Sequence, residues 1–300
     1  MEGLVRFSFY LFAGGSMAVF AAAIMYIMYA VGRVRFQRAH VSTPSGQTVG
    51  TSSLHAEEGP VGYARWGTML TVLGAVTFGG AFIARWGATE HFPLSNMYEY
   101  SMLFVFFVCV IQLVFERIYK VRQLGAIVMS IAALMSLYIW SLPTHMREVD
   151  ALIPALQVGY IMPFHVGSFV IAYATFAMAF AAAILFLIAE RRTVRWLPSA
   201  EMLDDVGFRA VTIGFPLFTI GLILGSVWAH DAWGVYWQWD PKETAALFTW
   251  LVYAVYLHTR TLRGWSGRRS AYVLLFGFGA TIFTYYGNYF FGGLHAYGGF

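Results

Sequence analysis

The chain has 300 residues, of which 59% are hydrophobic and 11% charged, with a formal net charge of +4. A soluble domain carries about 25% charged residues, so the composition excludes one and indicates a polytopic membrane protein. The small positive charge is no nucleic-acid signal, because the basic residues sit in short loops between apolar runs. The single cysteine, Cys109, excludes an internal disulfide, a thiolate metal cluster and a CxxCH haem-attachment site.

Apolar runs of the roughly 18 to 25 residues that cross a bilayer occur at 7–31, 66–84, 97–115, 124–142, 165–189, 210–229, 243–258 and 271–291. The predicted fold class is therefore all-α, with about eight transmembrane helices in one membrane domain spanning 1–300. The run from Phe7 to Val31 is too long for a signal-peptide core and is expected to be the first spanning helix. Residues 32–64 include VSTPSGQTVGTSS, a composition that buries little apolar surface, and are expected to form a flexible loop.

The basic residues give an orientation. One set of loops holds Arg33, Arg35, Arg38, Arg65, Arg117, Lys120, Arg122, Arg191, Arg192, Arg195, Arg209, Arg260, Arg263, Arg268 and Arg269. The alternate set holds only Arg6, Arg85, Arg147 and Lys242. With the crowded side cytoplasmic, both termini, the 85–96 and 143–164 loops and the tryptophan-rich connection are expected to face outward.

That connection, WAHDAWGVYWQWDPKE from Trp228 to Glu243, concentrates Trp228, Trp233, Tyr236, Trp237 and Trp239 between two apolar runs. An interfacial aromatic belt places a Trp or Tyr at each helix end, and five aromatics in one connection exceed that need. Broad apolar faces with an N–H at the edge suit a platform for a large planar ligand. Asp240, Lys242 and Glu243 close the stretch. They either partner a ligand's carboxylates or cap the seventh spanning helix, with Pro241 in its first turn.

Most histidines read as hydrogen-bonded structural residues. His40 and His55 fall in the expected loop, His145 and His230 in external loops, and His91 in EHFPLSNMYEY before the third run. His165 opens the fifth run and His295 follows the eighth, so both flank the aromatic platform on its outer face. Two imidazoles across a flat tetrapyrrole complete six-coordinate iron, which sets a metal-macrocycle site beside the structural reading. His258 lies about 15 residues past Glu243, roughly 22 Å along a helix, in the inner half of the membrane, where an ionisable group is a functional candidate. No HExxH pattern points to zinc.

WGVYWQWDPKETAALFTWLVYAVYLHTR resembles the tryptophan-rich signature of haem-handling membrane proteins. Its DPKET continuation and YLHTR ending are similar to the CcsA/ResC family (labelled CcsB in some bacteria), the membrane component of the System II cytochrome c synthase. HFPLSNMYE at 91–99, FHVGSFVIAYATF at 164–176 and GLHAYG at 293–298 resemble further blocks of that family in the same order. The resemblance runs from about residue 66 to the end and does not include the first helix or the expected loop.

The resemblance implies that His165 and His295 are external axial ligands of haem b, with Trp233, Trp237, Trp239 and Asp240 as the signature itself. His258 corresponds to a membrane-embedded haem histidine whose counterpart belongs to a CcsB/ResB-like partner, so that this chain holds half an inner site. The implied activity moves haem b to the extracytoplasmic face of a bacterial cytoplasmic or thylakoid-type membrane. There it presents haem for thioether attachment to the CxxCH cysteines of apocytochrome c, which a thiol-reducing pathway would keep reduced. The thiols come from the substrate, so the enzyme needs proximity more than a nucleophile of its own. A haem exporter without ligation activity and a b-type electron-transfer cytochrome are the competing readings. The second pairs histidines at similar depth in the bilayer, and His258 has no such partner in this sequence.

Overall fold

Each of the eight apolar runs coincides with a long helix in the structure, a computed structural model that describes residues 2–41, 53–89, 91–149, 152–158, 160–191 and 197–295, with side chains at 33–61 and 288–290 left out. The long helices are α1 (Glu2–Val41), α2 (Ser53–Thr89), α3 (Met97–Tyr119) and α4 (Gly125–Ser141). A single turn, α5 (Pro154–Gln157), precedes α6 (Met162–Arg191), α7 (Ala200–Trp233), α8 (Pro241–Leu262) and α9 (Arg268–Phe291). No strand occurs among the described residues.

The chain is an all-helical membrane protein. Helices α1 to α4, α6 and α7 are long and apolar enough to cross a membrane. With 22 and 24 residues, α8 and α9 reach about 33 and 36 Å at 1.5 Å per residue. Their sides are more polar, since α8 carries Lys242, Glu243, His258 and Arg260. Met17, Met69, Val76, Leu134, Ile223 and Phe276 are exposed on the bundle's outside, a surface suited to hydrocarbon.

Two expectations change. Helix α1 continues to Val41 and α2 begins at Ser53, so 32–41 and 53–64 are helical where a loop was expected; residues 42–52 lie outside the described residues. The stretch VGRVRFQRAH holds no proline and includes three arginines, Gln37 and Ala39, which are good helix formers, and α1 outruns its apolar segment there. In the same way Trp228, His230 and Trp233 lie in the last turns of α7, not in a connection. That helix stops only at Gly234, whose φ of 80° is the left-handed C-cap and whose N–H bonds to the His230 carbonyl.

Packing follows from small residues. α1 lies along α2 and α4, α6 lies along α7 and α9, and α3 joins the two groups through α6. Gly214 and Gly221, seven residues apart on α7, leave no room for a Cβ. One at Gly214 would stand 2.7 Å from the Phe176 ring, and one at Gly221 would stand 3.0 Å from the Phe169 ring. Opposite them α6 buries a run of alanines, including Ala172, Ala177 and Ala181. Close approach of this kind supplies van der Waals contact where lipid removes the hydrophobic drive between helices.

Two buried carboxylates are each held by several donors. Arg85 on α2 bonds to Glu99 on α3 at 2.5 Å and donates to the carbonyls of Arg147 and Glu148 at 2.6 Å each. Glu99 also accepts from the backbone N–H and hydroxyl of Ser95, both at 2.7 Å. This node fixes the 143–149 turn and the start of α3 to one place. Elsewhere Glu116 accepts from Tyr26, Thr68 and Arg122.

Candidate functional site

The site grows out of the tight α6–α7 seam. His165 sits in the first turn of α6, its backbone N–H bonded to the Ile161 carbonyl at 2.9 Å. Its ring lies against the backbone of Gly225, where a Cβ would fall 2.4 Å from Cε1. So placed, Nδ1–H donates to the Gly221 carbonyl at 2.8 Å. An imidazole whose Nδ1 is committed in this way presents Nε2 to a metal.

Trp228, one turn further along α7, is 2% exposed and stacks nearly parallel to His165, with centroids 6.1 Å apart at 13°. The His295 ring stands 6.0 Å from the same indole, and Trp233 packs on both Trp228 (4.8 Å) and His295 (5.0 Å). The two distances from Trp228, 6.1 and 6.0 Å, cap the separation of the imidazole centroids at about 12 Å.

His295 is held by Asp240. Its Nδ1 lies 2.9 Å from Asp240 Oδ2, and the Leu294 N–H donates to Oδ1 at 2.7 Å. Asp240 is also the N-cap of α8. It accepts from the Lys242 N–H at 3.0 Å, while Glu243 closes the capping box. Burial by itself would raise the Asp240 carboxyl. The hydrogen bond and charge of His295, with the Leu294 and Lys242 N–H groups, overcome that and hold it below the usual carboxylate range.

The loop between α7 and α8 is shaped by the same carboxylates. Glu243 accepts from the N–H groups of Gln238 (3.0 Å) and Asp240 (3.2 Å). Between them Trp239 adopts a left-handed φ of 61° and projects an indole that is 68% exposed. A non-glycine residue in this region carries strain of about 1–2 kcal/mol, and such strain collects at ligand sites. Trp237 packs edge-on against Trp239 at 5.7 Å. Tyr236 is half exposed and stacks on His230 at 4.3 Å.

His165, His295, Trp228 and Trp237 line a single cavity with about 1100 Å³ of unfilled space, mouth included. Trp233 and Asp240 are outside the lining but touch His295, and Trp239 and Tyr236 are exposed. The Trp228 indole N–H is buried with no acceptor among the described residues, an orphaned donor suited to a ligand's carboxylate. The lone His258 is elsewhere. It is exposed near the C-terminal end of α8, 18 residues past Asp240 and roughly 27 Å along the helix. No group of three potential metal ligands occurs among the described residues, so a bound iron would need its macrocycle to supply the remaining ligands.

Several cavity residues carry no signal of their own in the sequence. Leu94, Asn96, Met97, Phe169 and Tyr173 are part of the lining. They lie inside the family-like blocks at 91–99 and 164–176, which was the one signal available for them. His91 has Nδ1 3.1 Å from the Phe92 carbonyl, while its Nε2 is buried with no partner among the described residues. Of the two roles open to the acidic pair, the structure shows helix capping, since Asp240 and Glu243 form the capping box of α8 and Glu243 orders its approach.

A family profile described as "Cytochrome C assembly protein" matches residues 94–295. Proteins described as "Cytochrome c biogenesis protein CcsA" are similar over most of the chain. That of Chlamydomonas reinhardtii is 40% identical, across 72% of this chain and 64% of its own length. That of Mesostigma viride is 37% identical, across 72% and 80%, and that of Synechococcus elongatus 35% identical, across 72% and 82%. The chain thus spans less than two thirds of the Chlamydomonas protein. Among solved structures, "Cytochrome c Heme Lyase CcmF" shares the fold with a TM-score of 0.59 at 16% identity, covering 91% of this chain and 46% of that one.

Proposed function

Starting from the fact that this chain belongs to the cytochrome c assembly family, CcsA branch, we propose that it is the haem-handling subunit of a cytochrome c synthase. On this reading it receives haem b, carries it to the extracytoplasmic face and presents it there to apocytochrome c. The observation that supports this best is the pairing of His165 and His295 about Trp228, each with Nδ1 tied off so that Nε2 is the nitrogen offered to iron. Metal-bound imidazole sits about 2 Å from its metal, so the two Nε2 atoms would stand about 4 Å apart across the macrocycle. An imidazole separation capped at about 12 Å is compatible with that closure.

The donor set fits haem chemically. Trp228, Trp237 and the exposed Trp239 offer indole faces to a porphyrin and exclude water from it. The buried N–H of Trp228 and the ammonium of Lys242 at the cavity wall offer donors to its two carboxylates. Haem supplies the vinyl groups that become thioethers, and the substrate's CxxCH supplies the thiols. The protein's contribution is orientation and proximity. The exposed indole of Trp239, packed against the cavity-lining Trp237, is where the CxxCH segment would meet haem. His258, exposed on α8, is suited to complete an inner haem site with a histidine from a CcsB/ResB-like membrane partner.

Co-expression of the chain and such a partner with a reporter apocytochrome tests this. Covalently haem-stained reporter is expected only with both proteins. His165→Gly or His295→Gly is expected to lower the yield, with partial recovery on added imidazole. Full maturation in either variant without imidazole rejects ligation at that position. A haem-loaded protein that matures no reporter in any combination rejects synthesis in favour of export.

A further inference from the structure

The two imidazoles differ in what their Nδ1 atoms bond to. His165 donates to the Gly221 carbonyl, a neutral amide acceptor. His295 donates to the Asp240 carboxylate, a charge-assisted bond roughly twice as strong. The Asp240 contact is built in. Gly292 and Gly293 turn the chain back after α9 with φ of 66° and 103°. A Cβ at Gly293 would fall 2.4 Å from Asp240 Oδ1, so the segment presses against the carboxylate as only glycine permits. The N–H groups of Leu294 and Lys242 then hold both carboxylate oxygens in place.

We propose that Asp240 is a positioning residue that makes the two axial imidazoles electronically unequal, with His295 the stronger iron ligand, and that it thereby holds the iron's reduction potential down. This rests on the haem-ligation reading above. An imidazole whose N–H is shared with a carboxylate gains imidazolate character, and its other nitrogen becomes a more basic ligand. A more electron-rich axial ligand favours ferric over ferrous iron, since axial identity and surrounding hydrogen bonds are the levers on haem potential. His165, backed by a neutral carbonyl, is left with the weaker bond, so the iron opens first on that side.

The test is a potentiometric titration of the purified, haem-loaded chain as wild type and as Asp240→Asn. Asparagine keeps the shape and the helix-capping preference but removes the charge. The expected result is a more positive potential in Asp240→Asn with a bis-imidazole spectrum retained. An unchanged potential with that spectrum intact overturns the proposal. A second measurement needs no substitution at 240: haem retention is compared in His295→Gly and His165→Gly. Several-fold greater loss is expected from His295→Gly, and equal or greater loss from His165→Gly overturns the proposal. A wild-type protein that binds haem without a bis-imidazole spectrum rejects the ligation reading itself, which separates the two failures.

Discussion

Gly225→Ala is the substitution in which the structure makes its sharpest demand. Alanine is the better helix former by about 0.5–1 kcal/mol, so helix propensity predicts stabilisation. The added Cβ, however, would stand 2.4 Å from His165 Cε1 and 2.7 Å from Nδ1, closer than real contacts allow. The ring must rotate or withdraw, and its 2.8 Å bond to the Gly221 carbonyl breaks. The broken bond and the carbonyl left without it cost about 1–3 kcal/mol, and overpacking the seam adds about 1–3 kcal/mol. Both outweigh the propensity gain, for a net loss of about 1–5 kcal/mol. Thermal unfolding in detergent is the assay, with haem absorbance followed alongside. Gly279→Ala, where nothing lies within 4 Å of the new methyl, is the control and is expected to hold or gain stability. A Gly225→Ala protein as stable as wild type, with unchanged haem content and spectrum, refutes the placement of His165 against α7.

Arg85→Met leaves Glu99 buried and uncompensated, and breaking such a pair costs about 3–5 kcal/mol; lowered thermal stability is expected, with much of it regained in Arg85→Met/Glu99→Gln. Trp239→Gly relieves the left-handed backbone and is expected to stabilise the fold by about 1 kcal/mol while lowering reporter maturation, an opposite movement that a purely structural tryptophan would not produce. Asp240 has its carboxyl held low, so its tether contributes stability above the ordinary aspartate pKa of about 3.9 and loses it only as pH falls through the lower folded value. The stability advantage of wild type over Asp240→Asn is therefore expected to stay flat from pH 7 to 5 and to shrink only below about 4. An advantage that vanishes by pH 5 contradicts the depressed carboxyl.

Much of the site was legible residue by residue. Trp228 and Trp237 line the cavity, and His165 and His295 both reach it although far apart in the chain. Placing the helices needed only hydrophobic runs, since a bilayer leaves the backbone few alternatives to a helix. The 32–64 segment was harder because helix ends are set by propensity and capping rather than by apolarity, so α1 and α2 run past their apolar cores. Trp228 and Trp233 were assigned to a connection for the same reason: the breaker that ends α7 is Gly234, beyond both.

The linear chain on its own determined that this is a helical membrane protein, and which aromatic and imidazole groups are present, because hydropathy and residue chemistry are local properties. It left Asp240 open between ligand partner and helix cap. Only the folded arrangement decided that this carboxylate grips His295 across 55 positions while His165 leans on a bare stretch of α7 backbone. Contacts between distant segments depend on how closely helices approach, and that distance is set by pairs of facing small residues which no single segment specifies.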